Sequence, residues 1–294
     1  MTQATQMASE LKARIDEAAA FVRQRANVPE LRRGEAAPVA DVGIILGTGL
    51  GDFARSLETS AVVPYADIPH FPRSTVESHA GELHIGRLAA RPVAVMKGRV
   101  HYYEGYTMQQ VAFPVRVLKA LGCGTLVITN ACGGMNPAMP AGTIVVTTDH
   151  INLMGDNPLI GPNDDTLGPR FPDMSEPYSR KLIALAQTVA REQGVPLAPG
   201  VFVAVPGPNL ETAAEYRFLR AIGADVVGMS LVPENIVAVH GGMRVLAFNV
   251  VTDASDPDHL RAVDLSEVLA VAGRVAPALT RLVTEVVRRL DEAS

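Results

Sequence analysis

The stretch "RVLAFNVVTDASD" (244–256) is apolar almost without a break through Val251 and polar from Thr252 onward. Side chains of an extended segment alternate between two faces, so a run apolar at consecutive positions reads as a strand covered on both sides. This strand ends on an open mouth with Asp253 at its lip. Six more runs have the same character: "VGIIL", "RPVAVM", "TLVIT", "TIVVT", "VFVAV" and "ADVVG". Between them, apolar residues at three- and four-residue steps predict helices near 107–121, 178–193, 211–222 and 233–240. A longer helix over 265–291 carries Val268, Ala272, Val275, Leu279, Leu282, Val286 and Leu290 on one stripe. Buried strands alternating with helices make the fold class α/β.

The first 26 residues predict a helix with Leu11, Ile15, Ala18 or Ala19, and Val22 inward, and "NVPELRRGEAAPVA" interrupts it. Residues 1–40 are thus a helix and connector within one domain spanning 1–294. The segment 153–175, rich in Gly, Pro, Asn and Asp, is longer than a plain connector needs, and such loops are often functional. With 48% hydrophobic and 19% charged residues, the chain is globular. A net charge of −5 gives no electrostatic footprint for nucleic acid or an anionic membrane. No apolar run approaches the ~18 residues that span a bilayer. The two cysteines, Cys123 and Cys132, form neither a metal pattern nor a disulfide framework. The expectation is a soluble cytoplasmic chain with reduced thiols, and neither metal nor organic cofactor.

Several strands run into segments able to do chemistry, and ligands of α/β sheets gather at strand C-termini. "IILGTGLGD" (44–52) offers glycines and the Thr48 hydroxyl, suited to an anion cradle or to an ordinary tight turn. It is not a dinucleotide fingerprint, because the third glycine would fall at Asp52. In "STVESHAGEL" (74–83), His79 is a loop histidine that by itself reads as a surface group. In "MKGRVHYYEGY" (96–106), Arg99, His101 and Tyr103 share one face if the segment is extended, with Glu104 beside them. A cation, an imidazole and a phenol together suit an anion next to a hydroxylated ligand. "VITNACGGMNPAMPAG" (127–142) ends a strand in small residues, open to a flat ligand or marking a bulge. "VPGPNLETAAEY" (205–216) puts Glu211 at a helix start, where it serves a ligand or the helix dipole. "GMSLVPEN" (228–235) offers Met229 and Ser230 just before a helix.

In order along residues 42–275, "GTGLG", "SHAGEL", "GRVHYYEGY", "TNACGGMNP", "GPNDDTLGPRFPDMSEPY", "PGPNLETAAEYR" and "VVGMSLVPENIVAVH" resemble the trimeric purine nucleoside phosphorylases. The resemblance implies a single-domain fold with a central mixed β-sheet flanked by helices. It implies a homotrimer and reversible phosphorolysis, in which purine nucleoside and phosphate give free base and ribose 1-phosphate. Phosphate is then the co-substrate, held by Thr48, His79, Arg99, His101, the Ala131 backbone and Ser230. Tyr103 and the Met229 backbone would hold the ribose, and Phe171 would enter a neighbouring subunit's sugar site. Glu211, Asp253, Thr252, Val205, Leu210 and Val227 would surround the base. His101, Glu211 and Asp253 are the catalytic candidates.

Three positions depart from the family members that prefer 6-oxopurines. Asp253 stands where they have asparagine, as in the related methylthioadenosine phosphorylases; Leu265 replaces a histidine that meets the 5′-hydroxyl; Leu210 replaces an aromatic residue. Glu211 points back to 6-oxopurines, since a carboxylate pairs with their N1–H. Ser255 replaces a second aspartate of the methylthioadenosine subgroup. The expected activity is phosphorolysis of (deoxy)inosine and (deoxy)guanosine in purine salvage. A methylthioadenosine phosphorylase, a nucleosidase and a non-catalytic nucleoside-binding protein are the alternatives, and Asp253 would otherwise only cap the following turn.

Overall fold

A computed structural model describes residues 3–27, 38–75 and 80–293. Most of the expected connector, and His79, therefore lie outside the described residues. In chain order the elements are α1 (Gln3–Arg25), β1 (Val42–Leu46), β2 (Glu58–Pro64), β3 (Glu82–Leu88), β4 (Arg91–Lys97) and α2 (Met108–Ala120). There follow β5 (Thr125–Gly134), β6 (Ile144–Asn152), α3 (Arg180–Glu192), β7 (Leu197–Ala204) and α4 (Ala213–Ala221). The chain ends with β8 (Val226–Gly228), α5 (Val232–His240), β9 (Arg244–Ala254) and α6 (Leu265–Arg288).

All seven expected strands form, and so do the six helices, within a few residues of their expected bounds. The doubly apolar runs are the buried ones: β1 is fully buried, and β9 is buried from Val245 to Thr252. On α1 the inward stripe is Ile15, Ala18, Ala19 and Val22, with Leu11 half-buried. On α6 the core takes Ala272, Leu279, Leu282 and Val286, whereas its first turn stays exposed at Leu265.

The strands form one mixed sheet in the order β2-β3-β4-β1-β5-β8-β7-β6-β9, flanked by helices. β4, β1, β5 and β9 run parallel, so their C-terminal ends open on one side. β9 also lies along the whole of β5, from Thr125 against Arg244 to Gly134 against Ala254. The strands β5, β8, β7, β6 and β9 therefore close into a ring. Sequence reading had no signal for this closure, which depends on β5 being shared among three neighbours. β8 meets β5 antiparallel at Gly133 and Gly134, so the chain leaving β8 turns back along the end of β5.

Candidate active site

A cleft of ≈340 Å³ opens where β1, β4, β5 and β9 end. The turn after β1 passes so near β5 that a side chain at Gly47 would meet the Thr129 carbonyl oxygen at 2.6 Å. Gly49 adopts φ +77°, and a Cβ there would stand 2.5 Å from Ala272 on α6. This glycine turn is thus wedged between sheet and helix, and it delivers Thr48 to the cleft.

Beyond β4, Arg99, His101 and Tyr103 line the same cleft, as expected, but by a different backbone. His101 is extended, while residues 102–104 form a single 3-10 turn rather than continuing a strand. His101 and Tyr103 stack, with ring centroids 4.8 Å apart. Glu104 organises the turn: its carboxylate accepts from the His101 backbone N–H at 2.7 Å and lies 3.1 Å from His101 Nδ1. It also accepts from Thr75 N and Oγ1. Burial acts to raise the Glu104 pKa, but the bonds from His101 and Thr75 outweigh it and hold the group at about 2. The carboxylate is therefore a fixed anion that pins one nitrogen of the imidazole.

Arg99 is 3% exposed, as is its partner Glu234 on α5, at 3.2 Å. Its guanidinium donates to Asn130 Oδ1 at 2.6 Å and to the Thr129 carbonyl. Ser230 donates to the same Asn130 oxygen at 3.0 Å. Asn130 in turn donates to Asn249 Oδ1, and Asn249 to Thr147 Oγ1. A chain of buried amides and hydroxyls thus ties β4, β5, β9 and β6 together beneath the cleft. Burial lowers the Arg99 pKa, and Glu234 counters that shift. The other oxygen of Glu234, Oε2, has no hydrogen-bond partner among the described residues.

Ala131, Cys132 and Gly133 form the floor along the end of β5, with Val227, Met229 and Ser230 beside them. Ser230 lies at a strained corner: Leu231 has φ +72° and ψ −51°, and Val232 N donates to the Ser230 carbonyl at 2.8 Å. A non-glycine residue in that conformation costs on the order of 1–3 kcal/mol and is tolerated where the surroundings over-determine it.

Glu211, Asp253, Thr252 and Leu210 line the other part of the cleft, with Tyr216 from α4. Glu211 does not cap the helix: Thr212 is the N-cap and Glu215 closes the capping box. Glu211 stands one residue before the cap, and the Tyr216 hydroxyl is its side-chain partner. The Asp253 carboxylate accepts from two hydroxyls, Thr252 Oγ1 at 3.3 Å and Ser255 Oγ at 3.2 Å. The turn that follows is served by Asp256, which accepts from Asp258 N and His259 Nδ1. Burial pushes both the Glu211 and the Asp253 pKa up, and the charge of Asp253 pushes Glu211 further. At the mouth, Leu265, Val263, Leu210 and Val268 make an apolar corner.

One residue expected around the base lies elsewhere. Val205 lines a neighbouring cavity of ≈260 Å³ that shares Glu211 with the cleft. Phe171 is 86% exposed, on the segment between β6 and α3. Glu234, Tyr216 and Asn249 were given no role by sequence reading. An acidic residue inside the apolar "VPENIVAVH" was the one signal that could have found Glu234. Both cysteines are buried free thiols. Among the described residues no His, Cys, Asp and Glu cluster could hold a metal ion, and no helix is long and apolar enough to cross a membrane.

Residues 41–288 match the family model described as Phosphorylase superfamily. Purine nucleoside phosphorylase 1 of Bacillus subtilis is 47% identical over 281 residues, covering 96% of this chain and all of the relative. The purine nucleoside phosphorylase of Mus musculus is 46% identical over 83% of this chain and 86% of its own. Isoform 2 of the Schistosoma mansoni enzyme, solved with cytosine and ribose-1-phosphate, superposes with a TM-score of 0.87 at 39% identity, covering 95% of this chain and 96% of its own. A Schistosoma mansoni purine nucleoside phosphorylase solved with adenosine gives 0.86 at 37% identity, covering 94% and 96%. The cleft at the strand ends, with its buried arginine and paired carboxyls, is therefore that of a known lineage: the chain belongs to the phosphorylase superfamily and, within it, to the purine nucleoside phosphorylases.

Proposed function

We propose that this chain cleaves 6-oxopurine nucleosides with phosphate, as a soluble cytoplasmic homotrimer serving purine salvage, with Glu211 and Asp253 reading the base. The observation that carries this reading is the single cleft that joins Arg99, His101 and Ser230 to Glu211 and Asp253. Thr48, Arg99, His101, the Ala131 N–H and Ser230 bind the phosphate dianion, with His79 contributing. Tyr103 and Met229 hold the ribose. The C1′–N9 bond breaks with its electron pair leaving on the purine, while a phosphate oxygen bonds to C1′. A fixed dianion stabilises the cationic sugar and is already in line to capture it. Asp253, protonated, gives its proton to N7 of the departing base, and Glu211 accepts from N1–H. Thr252, Leu210 and Val227 enclose the ring, and Leu265 presents an apolar corner to the 5′ end.

The test is base release from inosine, guanosine, adenosine and methylthioadenosine, each with and without phosphate. Inosine or guanosine should react fastest and only with phosphate. Release without phosphate would mean a nucleosidase, binding without release a nucleoside-binding protein, and methylthioadenosine as best substrate the other subgroup.

The trimer reading comes from the family resemblance, and the exposed Phe171 supports it as an aromatic free to meet a neighbouring subunit. Burying a phenylalanine against a partner stabilises by about 1.5–3 kcal/mol. Phe171→Ala is therefore expected to raise the nucleoside KM about tenfold or more while kcat changes less. Light scattering should give three times the protomer mass. A fully active monomer would overturn the subunit-shared site.

A further inference from the structure

We propose that Glu211 and Asp253 act as one coupled carboxyl pair whose proton count selects the class of purine: one proton admits a 6-oxopurine and two admit a 6-aminopurine. This deepens the base-pocket reading above and rests on it. Both carboxyls line the same cleft, and neither forms an ion pair among the described residues. Hydroxyls connect them. Ser255 Oγ donates to Asp253 Oδ2 at 3.2 Å, and the Tyr216 hydroxyl is a hydrogen-bond partner of both Ser255 and Glu211. The other titratable groups lining the cleft are Cys132 on β5 and Arg99, His101 and Tyr103 beyond β4; Glu215 on α4 adds a further negative charge near Glu211. Arg99 is engaged by Glu234, and His101 by Glu104. Two partly buried acids without a paired cation are poor at being anions together: burial pushes both up, and the charge of Asp253 pushes Glu211 further.

The chemistry of the two base classes converts that proton count into selection. A 6-oxopurine offers N1–H as donor and O6 as acceptor; a 6-aminopurine offers N1 as acceptor and its amino group as donor. Both need a proton at N7. A protonated Asp253 supplies it in either case, and its second oxygen accepts from a 6-amino group but repels O6. The pH-dependent part of the discrimination then falls on Glu211: ionised, it accepts from N1–H; protonated, it donates to N1. The 6-oxo complex holds one proton on the pair and the 6-amino complex holds two.

The experiment is the ratio of kcat/KM for adenosine to that for inosine between pH 5 and pH 9, at saturating phosphate. Ionisation of phosphate and of the groups around it enters both rates and cancels in the ratio. The ratio should rise about tenfold for each pH unit lowered across the whole range, because the doubly and singly protonated forms of the pair stand in proportion to the proton concentration. Glu211→Gln, whose amide can donate to N1 without a proton, should flatten the profile. Asp253→Asn, whose amide donates to O6 where the acid's second oxygen repels it, should keep the slope and lower the ratio at every pH. A flat ratio in the unaltered enzyme, or a slope retained by Glu211→Gln, overturns the proposal while leaving phosphorolysis intact. No phosphate-dependent release from either nucleoside at any pH would overturn the base-pocket reading itself. Calorimetry in buffers of different ionisation enthalpy gives a readout free of catalysis: adenine should bind with uptake of one more proton than hypoxanthine, and equal uptake would overturn the proposal.

Discussion

Arg99→Ala is expected to lower kcat/KM for phosphate by about three orders of magnitude, with a far smaller effect on nucleoside binding. The guanidinium is a charged donor set whose position is fixed by Asn130, the Thr129 carbonyl and Glu234 before any ligand arrives. Removing one fixed donor from developing charge costs about 10²–10³ in rate in comparable sites. Hydrogen bonds to charged groups contribute ~1.5–3 kcal/mol each, and an arginine offers phosphate more than one. Two such bonds amount to roughly 4 kcal/mol, or about a thousandfold. Arg99→Lys should recover only part of this, because an ammonium keeps the charge and loses the planar fork. A phosphate titration of initial rates checks both. An alanine variant whose phosphate dependence stays within twofold of the parent would remove Arg99 from the phosphate site.

Glu234→Ala should be the most destabilising single change near the cleft. It leaves Arg99 buried, charged and short of its counter-ion. Breaking a buried pair from one side costs on the order of 3–5 kcal/mol. For a chain of this size that is a melting-temperature loss of roughly 10 °C, at about 2–4 °C per kcal/mol. The informative comparison is the double variant Arg99→Met with Glu234→Leu, which removes both charges and fills the space. Its stability should return toward the parent's while phosphorolysis stays lost. Thermal unfolding without phosphate measures the first and the rate assay the second. If Glu234→Ala melts within 2 °C of the parent, solvent has access to the pair and it is not the buried anchor described.

The apolar strands were legible because burial on both faces leaves no room for polar residues, and Val42–Leu46 has none. β2 escaped notice for the opposite reason. Along β2 only Val63 is buried, so "ETSAVVP" has neither an apolar run nor a clean alternation. Its order comes from backbone pairing to β3, which composition does not record. The cleft-lining groups next to strand ends, such as Thr48, Arg99 and Asp253, were legible because a polar residue following a buried strand is conspicuous. Glu234 and Tyr216 sit inside helices, where an acid in the first turn or an aromatic on an inner face has an ordinary local explanation. Only the tertiary approach of β4 to α5, and of α4 to the end of β9, gives them partners. The face shared by Arg99, His101 and Tyr103 was anticipated, but the turn that produces it was not, since Glu104 sets that turn through contacts with Thr75 from outside the segment.

Ring closure also bears on how this protein behaves at high concentration. An open sheet has two lateral borders, each a row of unsatisfied amides and carbonyls that can recruit another chain and seed aggregates. Here β9, last in the strand order, folds back onto β5, so among the described strands only β2 has a single partner strand. That strand begins with Glu58, ends with Pro64 and exposes most of its residues. The fold has eliminated one sticky border by geometry and left the other to its least adhesive strand.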